Sequence, residues 1–285
     1  MKKEIIVSII TILVAGIFAQ CNQSKKIIPS EEDGMQLVWS DEFDQDGLPN
    51  PSKWTYDIGT ACNQPAGCGW GNNELQYYTK NRPENAKVKD GKLIITAIKE
   101  PYKEDRSYTS ARLVSKNKGD WKYGRIEVRA KLPTGKGTWP AIWMLSTDWS
   151  YGGWPESGEI DIMEHVGYEP DTIYGTVHTK AYNHLNGTQK GGQLYTPKSE
   201  QQFQTYILDW QEDHMDWYID EQKYFTFKND KTDFEAWPFD QKFHMILNIA
   251  VGGNWGGKHG IDDSIWPQQM EVDYVRVYQD RTIAD

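Results

Sequence analysis

Arg125-Ile126-Glu127-Val128-Arg129-Ala130-Lys131-Leu132 places an apolar residue at every second position. Side chains alternate faces along a strand, so this stretch buries one face and wets the other. The same period recurs on both sides of it. Lys92-Leu93-Ile94-Ile95-Thr96-Ala97 follows the turn signal Asp90-Gly91, and Met215-Asp216-Trp217-Tyr218-Ile219 and Tyr224-Phe225-Thr226-Phe227 flank a short polar connection as a hairpin does. Glu271-Val272-Asp273-Tyr274-Val275-Arg276-Val277-Tyr278 supplies a closing strand. No long stretch repeats apolar residues at helical spacing. Many short strands joined by Gly- and Pro-rich turns predict an all-β protein, a β-sandwich.

A sandwich of about 200–250 residues commonly forms one domain. From Leu37 to Tyr278 nothing reads as a linker, so residues 36–280 are expected to be a single domain. Residues 21–35 are polar and aperiodic and read as a tether. Residues 1–20 read as a signal peptide: Lys2 and Lys3 precede an apolar run from Ile5 to Phe18, shorter than the ~20 residues of a membrane span. Phe18-Ala19-Gln20-Cys21 resembles a bacterial lipoprotein cleavage box, with Gln20 where a small residue is usual. Two outcomes stay open, lipidation of Cys21 or ordinary cleavage near Ala19. The expectation is an exported bacterial protein: periplasmic, anchored at the outer membrane, or extracellular. Cys62 and Cys68 then lie in an oxidising compartment and can pair, leaving Cys21 over. A net charge of -10 argues against a nucleic-acid partner and against an anionic lipid surface. A monomer is expected. The 13 Trp and 16 Tyr suit both a core and a surface that stacks against sugar rings.

The chemistry concentrates in Gly158-Glu159-Ile160-Asp161-Ile162-Met163-Glu164. On a strand Glu159 and Asp161 share a face, and strict alternation turns Glu164 away from them. One extra residue in a β-bulge at Ile162-Met163 restores the phase. The two Glu Cα atoms then stand roughly 13 Å apart along the strand. Inward-reaching side chains bring the carboxyl groups to about 5 Å, the spacing of a retaining rather than an inverting glycosidase. Repulsion within the trio raises at least one pKa, as a general acid requires. Asp161 is placed to share a hydrogen bond with a glutamate and position it. The same pattern also describes a polar sheet face or a cation site.

With Trp39-Ser40-Asp41-Glu42-Phe43, Gly69-Trp70-Gly71-Asn72-Asn73-Glu74-Leu75-Gln76-Tyr77-Tyr78, Trp139-Pro140-Ala141-Ile142-Trp143-Met144, the carboxylate segment, Gly175-Thr176-Val177-His178, Leu247-Asn248-Ile249-Ala250-Val251-Gly252-Gly253 and Val272 to Tyr278, the chain resembles glycoside hydrolase family 16, in its laminarinase-like branch. The resemblance spans residues 36–279. It implies a concanavalin A-like jelly roll with a concave cleft for β-1,3-glucan, with mixed β-1,3-1,4-glucan as a further substrate. It implies Glu159 as nucleophile, Glu164 as acid/base and Asp161 as their helper, with no cofactor for catalysis. Trp139 and Trp143 match aromatics of the negative subsites, His178 a cleft histidine near the acid/base, Asn73 and Arg112 polar sugar contacts, and Trp255 a stacking residue at a positive subsite. A structural calcium is implied on the convex side, held by the Asp273 carboxylate and the carbonyls of Glu42 and Gly91. Against these stand plainer readings: core tryptophans, a structural histidine, a solvated Asp273. A galactan hydrolase of the same fold, a transglycosylase and a glucan-binding module without turnover are the competing functions. The presence of all three acids argues against the last.

Overall fold

The computed structural model describes residues 34–65 and 67–280. The signal segment and Cys21 lie outside them. Strand Gly124–Lys131 runs through the middle of the larger of two sheets, paired antiparallel with Gln204–Trp210 on one side and Gln268–Asp280 on the other. Outward from it lie His214–Ile219 and Gln222–Lys228 in one direction. In the other, beyond Gln268–Asp280, lie Lys92–Lys99, Tyr108–Ser110 and Gln76–Tyr78. Met35–Asp41 adds to Gln268–Asp280, starting one residue before the expected boundary, and Ala86–Lys89 adds to Lys92–Lys99. The expected hairpin forms between His214–Ile219 and Gln222–Lys228.

The second sheet has eight strands, in the order Lys190–Tyr195, Thr172–His178, Glu159–Glu164, Thr138–Ser146, Phe243–Val251, Arg112–Val114 and Thr55–Asp57, with Asp120–Trp121 beside Phe243–Val251. Ile126, Val128, Ala130 and Leu132 from the larger sheet are fully buried and share one core with Ile142, Met144, Ile160, Met163, Leu247 and Ile249 from the smaller. Each of these side chains larger than alanine contributes about 1.5–3 kcal/mol by leaving water. Alternation along both sheets therefore fixes which residues face outward.

The outward face of the larger sheet departs from its expectation in one respect. Glu127, on the polar side of the alternating stretch, is only 8% exposed. Arg125 covers it, its Nε 2.6 Å from Glu127 Oε1, while Arg125 Nη1 reaches Asp209 Oδ2 at 2.9 Å. Arg129–Asp273 at 2.7 Å and Lys92–Glu271 at 2.7 Å continue the pairing along this face. Charged side chains in a row of neighbouring strands satisfy each other across the sheet.

Candidate active site

The central strands of the smaller sheet set the site by register. Trp143 opposes Asp161, Leu145 opposes Glu159, and Ala141 opposes Glu164. On the other side Glu159 pairs with His178 and Asp161 with Thr176, while Glu164 pairs with Tyr174. Ile162 and Met163 thus face the single residue Gly175 of the partner strand, a bulge where strand parity requires one. Ile160, Ile162 and Met163 point into the core, none more than 1% exposed. The bulge turns Glu164 onto the outward face with Glu159 and Asp161. Gly175 is forced at this point, because a Cβ there would lie 2.6 Å from the Tyr224 hydroxyl and from Trp217 Cδ1.

Each glutamate is held by an indole. Trp154 Nε1 donates to Glu159 Oε2 at 3.0 Å, and Trp139 Nε1 donates to Glu164 Oε1 at 3.1 Å. Trp217 Nε1 donates to the Asp161 backbone carbonyl at 2.9 Å and fixes the strand from the core side. The Asp161 side chain, between the two glutamates in the strand, is 3% exposed. Burial first, and then the charges of Glu159 and Glu164, push it well above the usual carboxylate range. Burial also raises Glu159, helped by the charge of Glu164 and opposed by the Trp154 N–H and by Arg112. Burial raises Glu164, opposed by the Trp139 N–H. A hydrogen bond shared between Asp161 and Glu159 raises the first and lowers the second, as a protonated Asp161 donating to an ionised Glu159 does.

His178 stands across from Glu159, with Nε2 3.7 Å from Glu159 Oε1 and 3.5 Å from Asp161 Oδ2. Burial, with the neighbouring His184 ring, depresses its pKa to about 3, so it is neutral at working pH. Arg112 lies two outward rows further along, beyond the row of Asp161. The row runs Asp57, Arg112, Asn248, Ala141, Glu164, Tyr174 across the sheet. Its guanidinium sits between the rings of Trp70 and Trp143, 4.4 and 4.7 Å from their centroids, and its Nε is 2.9 Å from Asp57 Oδ2. It is bound on both faces and 7% exposed.

A model of the glycosyl hydrolases family 16 matches residues 73–276. The chain belongs to that family. It is 57% identical over 251 residues to a β-glucanase of Rhodothermus marinus, covering 86% of this chain and 85% of that protein. It is 42% identical to a glucan endo-1,3-β-glucosidase of Cryptopygus antarcticus, covering 84% of this chain and 90% of that one. The crystal structure of the R. marinus laminarinase superposes with a TM-score of 0.82 at 54% identity, over 86% of this chain and 97% of the other. The jelly-roll sandwich of the family is the fold of this chain.

In this family 16 domain the remaining expected site residues divide into two groups. Trp139 meets Trp255 edge to face at 5.6 Å, and Trp255 meets Tyr174 at 5.0 Å, so these rings form one wall beside Glu164. Trp143 belongs instead with Arg112, and its Nε1 donates to Asn248 Oδ1 at 2.8 Å. Trp139, expected with Trp143 at the negative subsites, is thus in ring contact with Trp255, expected at a positive subsite. Equal parity puts both tryptophans on one face, but strand position gives them different neighbours. Asn73 donates from Nδ2 to Asn254 Oδ1 at 2.8 Å and ties its loop to the glycine-rich loop of Trp255.

The residues expected around calcium lie on the other sheet. Pairing of Leu93 with Val272 and of Asp41 with Val275 places the Gly91 and Glu42 segments on either side of Asp273. One carboxylate and neighbouring carbonyls are the oxygen donors calcium takes, so the ligand types fit. Arg129 Nη1 is the cation 2.7 Å from Asp273 Oδ2, and Arg276 Nε lies 2.9 Å from Glu42 Oε1.

Several residues that contact the expected site escaped the sequence reading. Trp154, Asp57 and Trp70 hold Glu159 and Arg112. Glu74, Gln76, Tyr78 and Asn248 form a buried chain: Gln76 Nε2 donates to Glu74 Oε2 at 2.6 Å, the Tyr78 hydroxyl to the same oxygen at 3.3 Å, and Asn248 Nδ2 to the Tyr78 hydroxyl at 3.0 Å. The signal was present, since Glu74, Gln76 and Tyr78 alternate in the sequence and therefore share one face.

Proposed function

We propose that this family 16 glycoside hydrolase is a retaining endo-β-1,3-glucanase that also accepts mixed β-1,3-1,4-glucan. The observation behind it is the bulged strand that turns Glu159 and Glu164 onto one face, each fixed by a tryptophan N–H. Burial lifts Glu159 to about 8 and Glu164 to about 7, so the two exchange protons near neutrality. In the reactive state the Trp154 indole and a protonated Asp161 donate to an ionised Glu159, and the proton resides on Glu164. Glu159 attacks the anomeric carbon while the Glu164 proton passes to the leaving oxygen, which departs with the bond's electrons. Water then gives its proton to Glu164 and attacks the same carbon, releasing Glu159 and a sugar of the original configuration. The Trp139–Trp255–Tyr174 wall beside Glu164 is the surface for the sugar that leaves, and Trp143 with Arg112 for the sugar that stays.

Proton NMR of the products at early times tests the mechanism: the β-anomer appears first if the reading holds, and early α-anomer refutes it. Reducing-sugar release from laminarin, lichenan, agarose and carrageenan tests the substrate. Activity on a galactan alone refutes it.

Calcium at Asp273 and the carbonyls of Glu42 and Gly91 is part of the same proposal, as a charge that ties the Glu42 and Gly91 segments to the middle of Gln268–Asp280. Millimolar calcium should raise the melting temperature of chelator-treated protein, and an unchanged value refutes it. Export is also proposed, supported by the Lys2 to Phe18 pattern and by the disulfide between Cys62 and Cys68. Palmitate labelling of the native chain and of Cys21→Ser distinguishes a lipid anchor from ordinary cleavage.

A further inference from the structure

His178 Nε2 is aimed at two carboxylates at once, 3.7 Å from Glu159 Oε1 and 3.5 Å from Asp161 Oδ2. One ligand atom from each of the three residues lies within 4.8 Å of the others. Atoms bound about 2.0–2.2 Å from a zinc ion stand roughly 3.3–3.6 Å apart at the tetrahedral angle. Two edges of the triangle are therefore already near the length an ion needs, and the third is no longer than 4.8 Å. Asp161 Oδ2 and His178 Nδ1 are buried and without a hydrogen-bond partner among the described residues, in side chains only 3% and 8% exposed. An acceptor oxygen left unmatched at that depth costs free energy that a cation removes.

The other histidine–carboxylate contacts among the described residues lack this geometry: His165 Nε2 meets a single carboxylate, Glu200, at 3.0 Å. His214 meets Asp213 through Nδ1 at 2.7 Å and Asp216 through Nε2 at 3.7 Å, opposite edges of the ring that cannot share one ion.

We propose that Glu159, Asp161 and His178 form a binding site for a divalent transition ion of the zinc type, and that the ion blocks hydrolysis by occupying the nucleophile. The block rests on the proposed role of Glu159; the binding does not. An imidazole among the ligands selects zinc, copper or nickel over calcium and magnesium. Among the described residues no carbonyl or carboxylate braces His178 Nδ1, and resident zinc centres draw much of their strength from that second bond. The ion is accordingly a reversible occupant, and water fills the fourth position on the cleft side.

Titration calorimetry with zinc chloride on the chelator-treated full chain tests the binding. One site is expected, with affinity falling at least tenfold in His178→Gln and again in Asp161→Asn. Cobalt(II) should give the strong visible absorption of a tetrahedral site in the native chain and lose it in both variants. Equal zinc affinity in native chain and both variants overturns the site. Zinc should also inhibit laminarin hydrolysis, in competition with laminarin and reversibly on chelation, while equimolar calcium does not. Undisturbed hydrolysis at saturating zinc overturns the block. A chain that binds zinc through His178 and never cleaves laminarin refutes the proposed function and leaves the site standing.

Discussion

On the outer face of the larger sheet Arg125 meets Asp209 at 2.9 Å, Arg129 meets Asp273 at 2.7 Å and Lys92 meets Glu271 at 2.7 Å. On the outer face of the smaller sheet Glu159, Asp161 and Glu164 stand along one strand, with no lysine or arginine ion pair to any of them among the described residues. The nearby cation, Arg112, is committed to Asp57 and to two aromatic rings. Both faces come from alternating strands with acids at outward positions, so alternation alone does not separate them. What separates them is the partner: a cation in one case, an indole N–H in the other. A cation would hold the acids ionised, whereas an uncharged donor in a buried setting leaves their pKa values high and their protons available.

The sharpest way to break this comparison is to remove one acid from each face. Glu159→Ser deletes the group that forms the covalent bond, and turnover on laminarin should fall by roughly 10⁴-fold or more while binding persists. Glu271→Gln, on the paired face, should leave turnover on laminarin within about twofold, because its pairs with Lys92 and Lys131 lie on the other sheet and touch no residue of the cleft. Similar losses in the two variants would mean that the cleft acids have no special role. Initial rates with matched circular dichroism spectra decide it.

Asp161→Asn sharpens the comparison through stability. An aspartate of ordinary pKa near 3.9 in the unfolded chain is raised on folding, so the folded chain binds the extra proton. Stability then declines as pH rises from about 4 toward the folded pKa, the reverse of a salt-bridged carboxylate. Asparagine removes that penalty. The variant should melt about 2–4 °C higher at pH 7, a gain on the order of 1 kcal/mol that vanishes below about pH 4, while kcat drops about 10²-fold. A lower melting temperature at pH 7 would show that Asp161 folds as a charged group.

Asn248→Ala addresses how the cleft wall is held. It strands the Trp143 indole N–H and removes a donor from the Tyr78 hydroxyl, a loss of about 1–3 kcal/mol in the fold. KM for laminarin should rise about tenfold, with a smaller fall in kcat. A change in kcat alone would place Trp143 in the chemical step instead of in sugar binding.

The paired face was legible in outline from alternation, and so was the bulge, because Glu164 three residues after Asp161 cannot share its face otherwise. The sandwich followed from the period-two runs at Lys92, Arg125 and Glu271. The division of the tryptophans was not legible: Trp139 and Trp143 have equal parity, and only the pairing of Ala141 with Glu164 and Asn248 shows that one indole reaches the acid while the other reaches the amide. Trp154 precedes the strand in a loop, where no period indicates direction. The buried chain from Glu74 to Asn248 joins residues 174 positions apart, and its link through Tyr78 exists only once the sheets have packed.

The smallest expected effect belongs to Arg129→Ala. Arg129 is 39% exposed, and water screens its pair with Asp273, so its loss should lower stability by no more than about 1 kcal/mol and leave turnover unchanged. The variant also uncovers the carboxylate proposed to hold calcium. Without its guanidinium competitor, Asp273 should bind calcium more tightly, and millimolar calcium should restore the melting temperature of the variant beyond its effect on the native chain. Thermal melts of both proteins with chelator and with calcium measure this. An equal calcium response in the two would mean that Arg129 and the ion do not compete. A loss above about 3 kcal/mol, well beyond what a screened pair supplies, would show that the outer face of the larger sheet is as dependent on its charges as the cleft is on its acids.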